Sequence, residues 1–161
     1  MDLRFNMFAN ELGAKFSKRL YGVSTVIEQS SLPKETQYLV MTRASQINGC
    51  AFCVDYHTKD AAADGMSAVR LNLVAVWRES TVFTEAERAA LALAEEGTRL
   101  ADAHLGVSDE TWEQVRKHYD DDQVAALVAL VAMINAANRL NVILRNQGGS
   151  YEAGMFSGLS S

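Results

Sequence analysis

The stretch SQINGCAFCVDYHTKDA, Ser45 to Ala61, decides how this chain is read. Asn48-Gly49 is a strong helix breaker between two segments of helical composition. Beyond it stand Cys50, Cys53 and His57, and the chain has no other cysteine. An α-helix turns by about 100° per residue, which sets Cys53 roughly 60° from Cys50 and His57 roughly 40° from Cys53. The three side chains share one stripe, with Cys53 in the middle along the axis. Cys50 follows the break and falls in the first helical turn. Unpaired N–H groups and the positive end of the helix dipole favour a thiolate there, lowering a thiol from about 8.5 by one to several units. His57 is within hydrogen-bonding reach of Cys53, where an imidazole takes a proton or passes one to a leaving group.

Outward from this stretch the whole chain reads as helical. There is a single proline, Pro33, and no run of alternating apolar and polar residues. Helices are predicted over about 7–29, from Pro33 to Ile47, from Cys50 to Gly65, over VRLNLVAVWRE behind a Ser67 cap, and over ERAALALAEEGTRLADA behind a Thr84/Glu87 capping box. A short helix follows Ser108. The last, opened by Asp121 or Asp122, runs to Gly148-Gly149. The expectation is an all-α, single-domain bundle of six to seven helices over 1–147, with a flexible Gly- and Ser-rich tail over 148–161.

At 161 residues the chain can bury a core without staples or metal. Its net charge of −5 argues against nucleic acid or an anionic membrane as the main partner. The apolar run Val124–Ile134 is too short to span a bilayer and is followed at once by Asn135, Asn138 and Arg139, so it reads as buried in the core or against another subunit. The N-terminus has no continuous apolar segment of the secretory kind, which makes the cytoplasm the expected compartment. A close cysteine pair there is catalytic or metal-binding more often than structural. Zinc needs three or four ligands. Cys50, Cys53 and His57 supply three, and His104 and His118 lie far away on other segments. On spacing alone, redox chemistry, a metal half-site and a plain pair of buried small residues that happen to be cysteines all stay open.

The wider stretch LVMTRASQINGCAFCVDYHTKDA, from Leu39, resembles the core of the AhpD-like alkylhydroperoxidases of the carboxymuconolactone decarboxylase superfamily. The likeness continues through Trp77-Arg78-Glu79, FTEAERAALALAE (Phe83–Glu95) and NAANR (Asn135–Arg139). It implies an all-α fold, assembly into trimers or hexamers, and hydroperoxide reduction without a cofactor. It also implies roles: Cys53 attacks the peroxide, Cys50 resolves the sulfenic acid as a disulfide, and His57 relays protons. An external dithiol, a lipoyl group or a thioredoxin-like protein, then reduces the pair. Two positions depart from the pattern. The family's relay Glu is replaced by Tyr38, twelve residues before Cys50, and its second His by Phe52. A phenol is a poor base at neutral pH; Glu35, one turn earlier, is the nearest carboxylate to stand in, although a solvated first-turn acid is the simpler reading. Two rival functions are a lactone decarboxylase, against which the dithiol speaks, and a non-enzymatic redox-sensing or metal-binding oligomer.

Other residues read as structural. Trp77 and Trp112 are expected in the core or at subunit contacts, and Asn135 with Asn138 in helix–helix hydrogen bonds. Arg43 and Arg139 either line a pocket or hold carboxylates. His104 and His118 receive no role.

Overall fold

A computed structural model describes residues 2–102 and 106–156, so His104 and the last five residues of the tail lie outside the described part. The described residues form seven α-helices and no strand: α1 (Glu11–Glu28), α2 (Lys34–Ile47), α3 (Ala51–Ala63), α4 (Ala68–Leu73), α5 (Glu85–Thr98), α6 (Asp109–His118) and α7 (Asp121–Leu144). The bundle is organised around α2, which packs against α3, α5 and α7. Its Leu39, Val40 and Ala44 are fully buried. Val40 joins Leu93, Leu127 and Leu130 in one apolar cluster. Leu39 joins Val74, Trp77 and Leu91 in a second.

Short side-chain caps set most helix starts. Ser67 and Ser108 each accept the N–H three residues on. Thr84 and Glu87 form the expected capping box. At the last helix the cap is Asp120, one residue before the expected start, and it makes a second capping box with Gln123.

Four boundaries differ from the sequence expectation, one of them at the fifth helix, which ends at Thr98 with Arg99 as its C-cap, before the end of the predicted run ERAALALAEEGTRLADA. The first helix is interrupted: Asn6 caps a 3₁₀ turn over Met7–Ala9, and Asn10 then caps α1 anew. The fourth helix stops at Leu73 and tightens into a 3₁₀ segment, Val74–Glu79. A three-residue repeat puts Val74 and Trp77 on one line, and both are buried in the second cluster. The last helix ends at Leu144, short of the glycines, because Arg145 takes the left-handed conformation (φ 61°) and bonds back to Asn141 and Val142. By length and apolar composition α7 would pass for a membrane span. Here its Leu127, Leu130, Ile134 and Asn138 face the interior of the bundle.

The tail over 148–161 was expected to be flexible on composition. Its described part, 148–156, lies instead along α3, because two carboxylates of α3 accept its backbone and hydroxyl donors.

Candidate active site

Cys50 is the N-cap residue of α3, and its Sγ accepts the Cys53 N–H at 3.3 Å. The two cysteines are joined in a disulfide. Both are 2% exposed, yet they border different spaces. Cys53 lies on a cavity of about 510 Å³ that is also lined by His57 and Tyr38. Cys50 borders a separate open groove beside Gly49, Ala51 and Gly148. Helix α3 therefore presents one sulfur to each side of its first turn.

His57 is buried and stacks on Tyr56, ring centroids 4.6 Å apart. Burial pushes its pKa down to about 3, so the imidazole is neutral at physiological pH. The hydrogen bond to Cys53 that the spacing invites is not formed among the described residues. The Cys53 sulfur is turned toward Cys50, and it accepts a weak hydrogen bond from Asn141 Nδ2 at 3.5 Å. Asn141 is fixed in turn by donating to the Ala137 carbonyl and accepting from Asn146.

Tyr38 does reach the cavity, but as a donor. Its hydroxyl donates to Asp64 Oδ2 at 2.6 Å, and Asp64 pairs with Lys34 at 2.5 Å. Burial first, and the Asp64 carboxylate next, raise the Tyr38 pKa well above the ordinary phenol value. Tyr38 is thus a held proton and not a base. The Lys34 and Tyr38 hydrogen bonds hold Asp64 below the usual carboxylate range. Glu35 is brought elsewhere: it is largely exposed and pairs with Arg70, away from the cavity.

The residues that sequence reasoning missed had a signal. The Cys53–His57 stripe continues down α3 at helical spacing to Asp60 and Asp64, and both line the cavity. Asn135, Asn138 and Asn141 make a comparable polar edge on α7. Asn135 and Asn138 both accept from Asn48 Nδ2, and Asn138 donates to Ser45. This edge ties α7 to the break before Cys50, as expected of the first two. Among the described residues, no group of three or more His, Cys, Asp or Glu side chains is arranged to take a metal ion.

An all-α bundle that places a C-x-x-C disulfide and a histidine on one helix, at the edge of a cavity, defines a thiol–disulfide site in an AhpD-like fold. The chain belongs to the carboxymuconolactone decarboxylase family, matched over residues 12–96, and is an AhpD-like member of it. It is 35% identical over 140 residues to the uncharacterised protein YdfG of Bacillus subtilis, covering 87% of this chain and 94% of that one. A solved structure from Agrobacterium tumefaciens, of unknown function and provisionally described as the antioxidant defence protein AhpD, is 35% identical with a TM-score of 0.85, covering 93% of this chain and all of that one. An uncharacterised peroxidase-related protein of Ralstonia eutropha, described as an alkylhydroperoxidase AhpD core, is 18% identical with a TM-score of 0.72, covering 89% of this chain and 74% of that one; this likeness bears on the fold alone.

Proposed function

We propose that the protein is a thiol-dependent peroxidase that reduces hydroperoxides through Cys50 and Cys53. The observation that carries this reading is the Cys50–Cys53 pair with Cys53 and His57 on the wall of one cavity. In the reduced enzyme the Cys53 thiolate attacks one peroxide oxygen. The O–O bond breaks, Cys53 becomes a sulfenic acid, and the alcohol leaves with a proton. Cys50 then attacks the Cys53 sulfur. The S–S bond forms, and the hydroxyl leaves as water with a second proton. An external dithiol exchanges with this disulfide, is itself oxidised, and restores both thiols.

His57 is the proton carrier beside Cys53. A negative sulfur next to it favours the protonated imidazole, which opposes the effect of burial. Asn141 steadies the thiolate through the amide that already points at the sulfur. Tyr38 and Asp64 stand where the family's relay carboxylate is replaced, with the phenol proton directed at Asp64. Cys50 needs no separate base, because its N-cap position favours the thiolate. The likeness to the provisional AhpD of A. tumefaciens supports the same reading. A reducing compartment such as the cytoplasm, where outside dithiols are plentiful, is the setting this cycle calls for.

The test is peroxide consumption coupled to a dithiol, with thiols counted after one equivalent of peroxide. Wild type should lose both thiols. Cys53→Ser should lose turnover altogether, and His57→Gln should slow it by roughly 10²- to 10⁴-fold, the usual worth of a positioned proton carrier. Undiminished consumption by Cys53→Ser would sink the proposal.

A further inference from the structure

The cavity has a wall that the cysteines and the histidine do not require. After α7 the chain turns back along α3, and Asp55 Oδ2 accepts the backbone N–H groups of Gly149 at 2.7 Å and Tyr151 at 3.1 Å. Asp60 Oδ1 accepts the Tyr151 hydroxyl at 2.9 Å and the Gly154 N–H at 3.1 Å. Lys59, between them on α3, donates to the Tyr151 carbonyl at 2.8 Å. At Gly148 a Cβ would meet the Ala51 carbonyl oxygen at 2.5 Å, so only glycine lets the segment start this close to α3. These ties leave Tyr151 only 4% exposed in a tail whose composition suggests looseness.

The segment carries rings into the cavity. Tyr151 lies 4.6 Å from Tyr56, the ring on which His57 stacks. Phe156 lies 5.5 Å from Tyr151, 5.6 Å from Tyr56, 6.1 Å from Phe52 and 6.3 Å from Tyr21. All five rings border the same space as Cys53. That space, about 510 Å³, is far more than hydrogen peroxide fills, since a water molecule takes about 30 Å³ of the liquid. Cavities of roughly 300–1,000 Å³ suit small organic ligands. Ring walls favour a ring in the ligand, offset or edge-on, beyond what its buried area alone supplies.

We propose that residues 148–156 are a substrate-selecting strap, and that Tyr151 and Phe156 hold the aryl group of an aromatic hydroperoxide with its peroxide end at Cys53. The proposal rests on the peroxidase reading above, which is what brings a hydroperoxide into the cavity. The strap lies beyond the residues matched to the family, 12–96, so this selectivity is added outside that stretch.

The experiment compares kcat/KM for cumene hydroperoxide, tert-butyl hydroperoxide and hydrogen peroxide under saturating dithiothreitol. The proteins are wild type, Phe156→Ala and the milder Tyr151→Leu. Wild type should prefer the aryl substrate, and Phe156→Ala should lower kcat/KM for it by roughly three- to tenfold more than for hydrogen peroxide. A second arm titrates the unreactive alcohol 2-phenylpropan-2-ol onto the oxidised proteins by NMR, where the same variant should weaken binding by a similar factor. Equal loss on all three substrates, or no loss on any, overturns the strap. Turnover without preference and without alcohol binding overturns the strap and leaves the peroxidase standing. Alcohol binding that is sensitive to Phe156, with no peroxide consumed, overturns the peroxidase reading and keeps the aryl wall.

Discussion

His57 is neutral because the bundle withholds water from it. Its neighbours are the Tyr56 ring and the cavity wall, and desolvation alone lowers its pKa from 6.5 to about 3. The unfolded chain therefore binds a proton on this residue below pH 6.5 that the folded chain refuses until about pH 3. Stability rises with pH wherever the unfolded state holds more protons, so this term destabilises the fold progressively as pH falls from 6.5 to about 3 and is silent above 6.5. Its slope is at most about 1.4 kcal/mol per pH unit. In urea titrations at a series of pH values, His57→Phe should show a shallower loss of stability across that window than wild type. Parallel curves for the two proteins would mean that the imidazole is not desolvated. The same burial explains why the motif could be read from sequence and its electrostatics could not. Spacing fixes which face of α3 His57 occupies. The dryness of that face comes only with the folded bundle, in which Tyr56 stacks on the imidazole and Tyr151, from the far end of the chain, packs on Tyr56.

At the scale of elements, one carboxylate joins three segments. Glu95 of α5 is 6% exposed and accepts from Arg43 of α2 at 2.7 Å, from Trp77 Nε1 at 3.0 Å and from Arg78 at 2.9 Å in the 3₁₀ segment. Burial raises its pKa, but the Trp77, Arg78 and Arg43 hydrogen bonds outweigh this and hold it below the usual range. Removing it leaves the Arg43 guanidinium, itself mostly buried, without its partner. Breaking a buried pair in this way costs about 3–5 kcal/mol. Glu95→Ala should accordingly lower the urea midpoint sharply, and Glu95→Gln, which keeps the shape and some of the hydrogen bonds, should lower it less. A loss under about 1 kcal/mol for the alanine variant would reduce this cluster to a surface contact. Sequence narrowed Arg43 to a pocket or a carboxylate, and the structure chooses the carboxylate. The helices themselves were legible because Ser67, Thr84 and Ser108 are local signals that act within one turn. The kink before Trp77 was not, because burial in a cluster assembled from distant helices makes the 3₁₀ repeat favourable there. The hydrogen bonds of residues 148–156 are not legible for a related reason: glycines and serines suggest looseness, while the accepting carboxylates, Asp55 and Asp60, sit on α3.

Among the described residues, α1 carries a run of exposed apolar side chains that its own packing does not explain. Along α1, Leu12 is 77% exposed, Phe16 48%, Val23 40% and Val26 71%, and on α7 Val142 and Ile143 are also exposed. Scattered apolar side chains are ordinary on a surface, but successive turns of one helix presenting them are the mark of an interaction face. The two helices pack on each other. The AhpD-like resemblance implies self-association into trimers or hexamers, and we propose the apolar face of α1 as its interface. The cavity takes its α1 wall, Tyr21 and Ser24, from the other face of the same helix, since about 100° per residue turns them well away from Leu12. Replacing Leu12 and Val26 by Lys places two charges where an interface would desolvate them, and a buried unpaired charge costs several kcal/mol. The double variant should therefore sediment as a smaller species than wild type, with its helical circular dichroism intact. Because α1 contributes to the cavity wall, its activity toward hydroperoxides should fall with the same concentration dependence as dissociation. If wild type already sediments as a 17.6 kDa monomer, the apolar face on α1 has another partner and the assembly proposal fails.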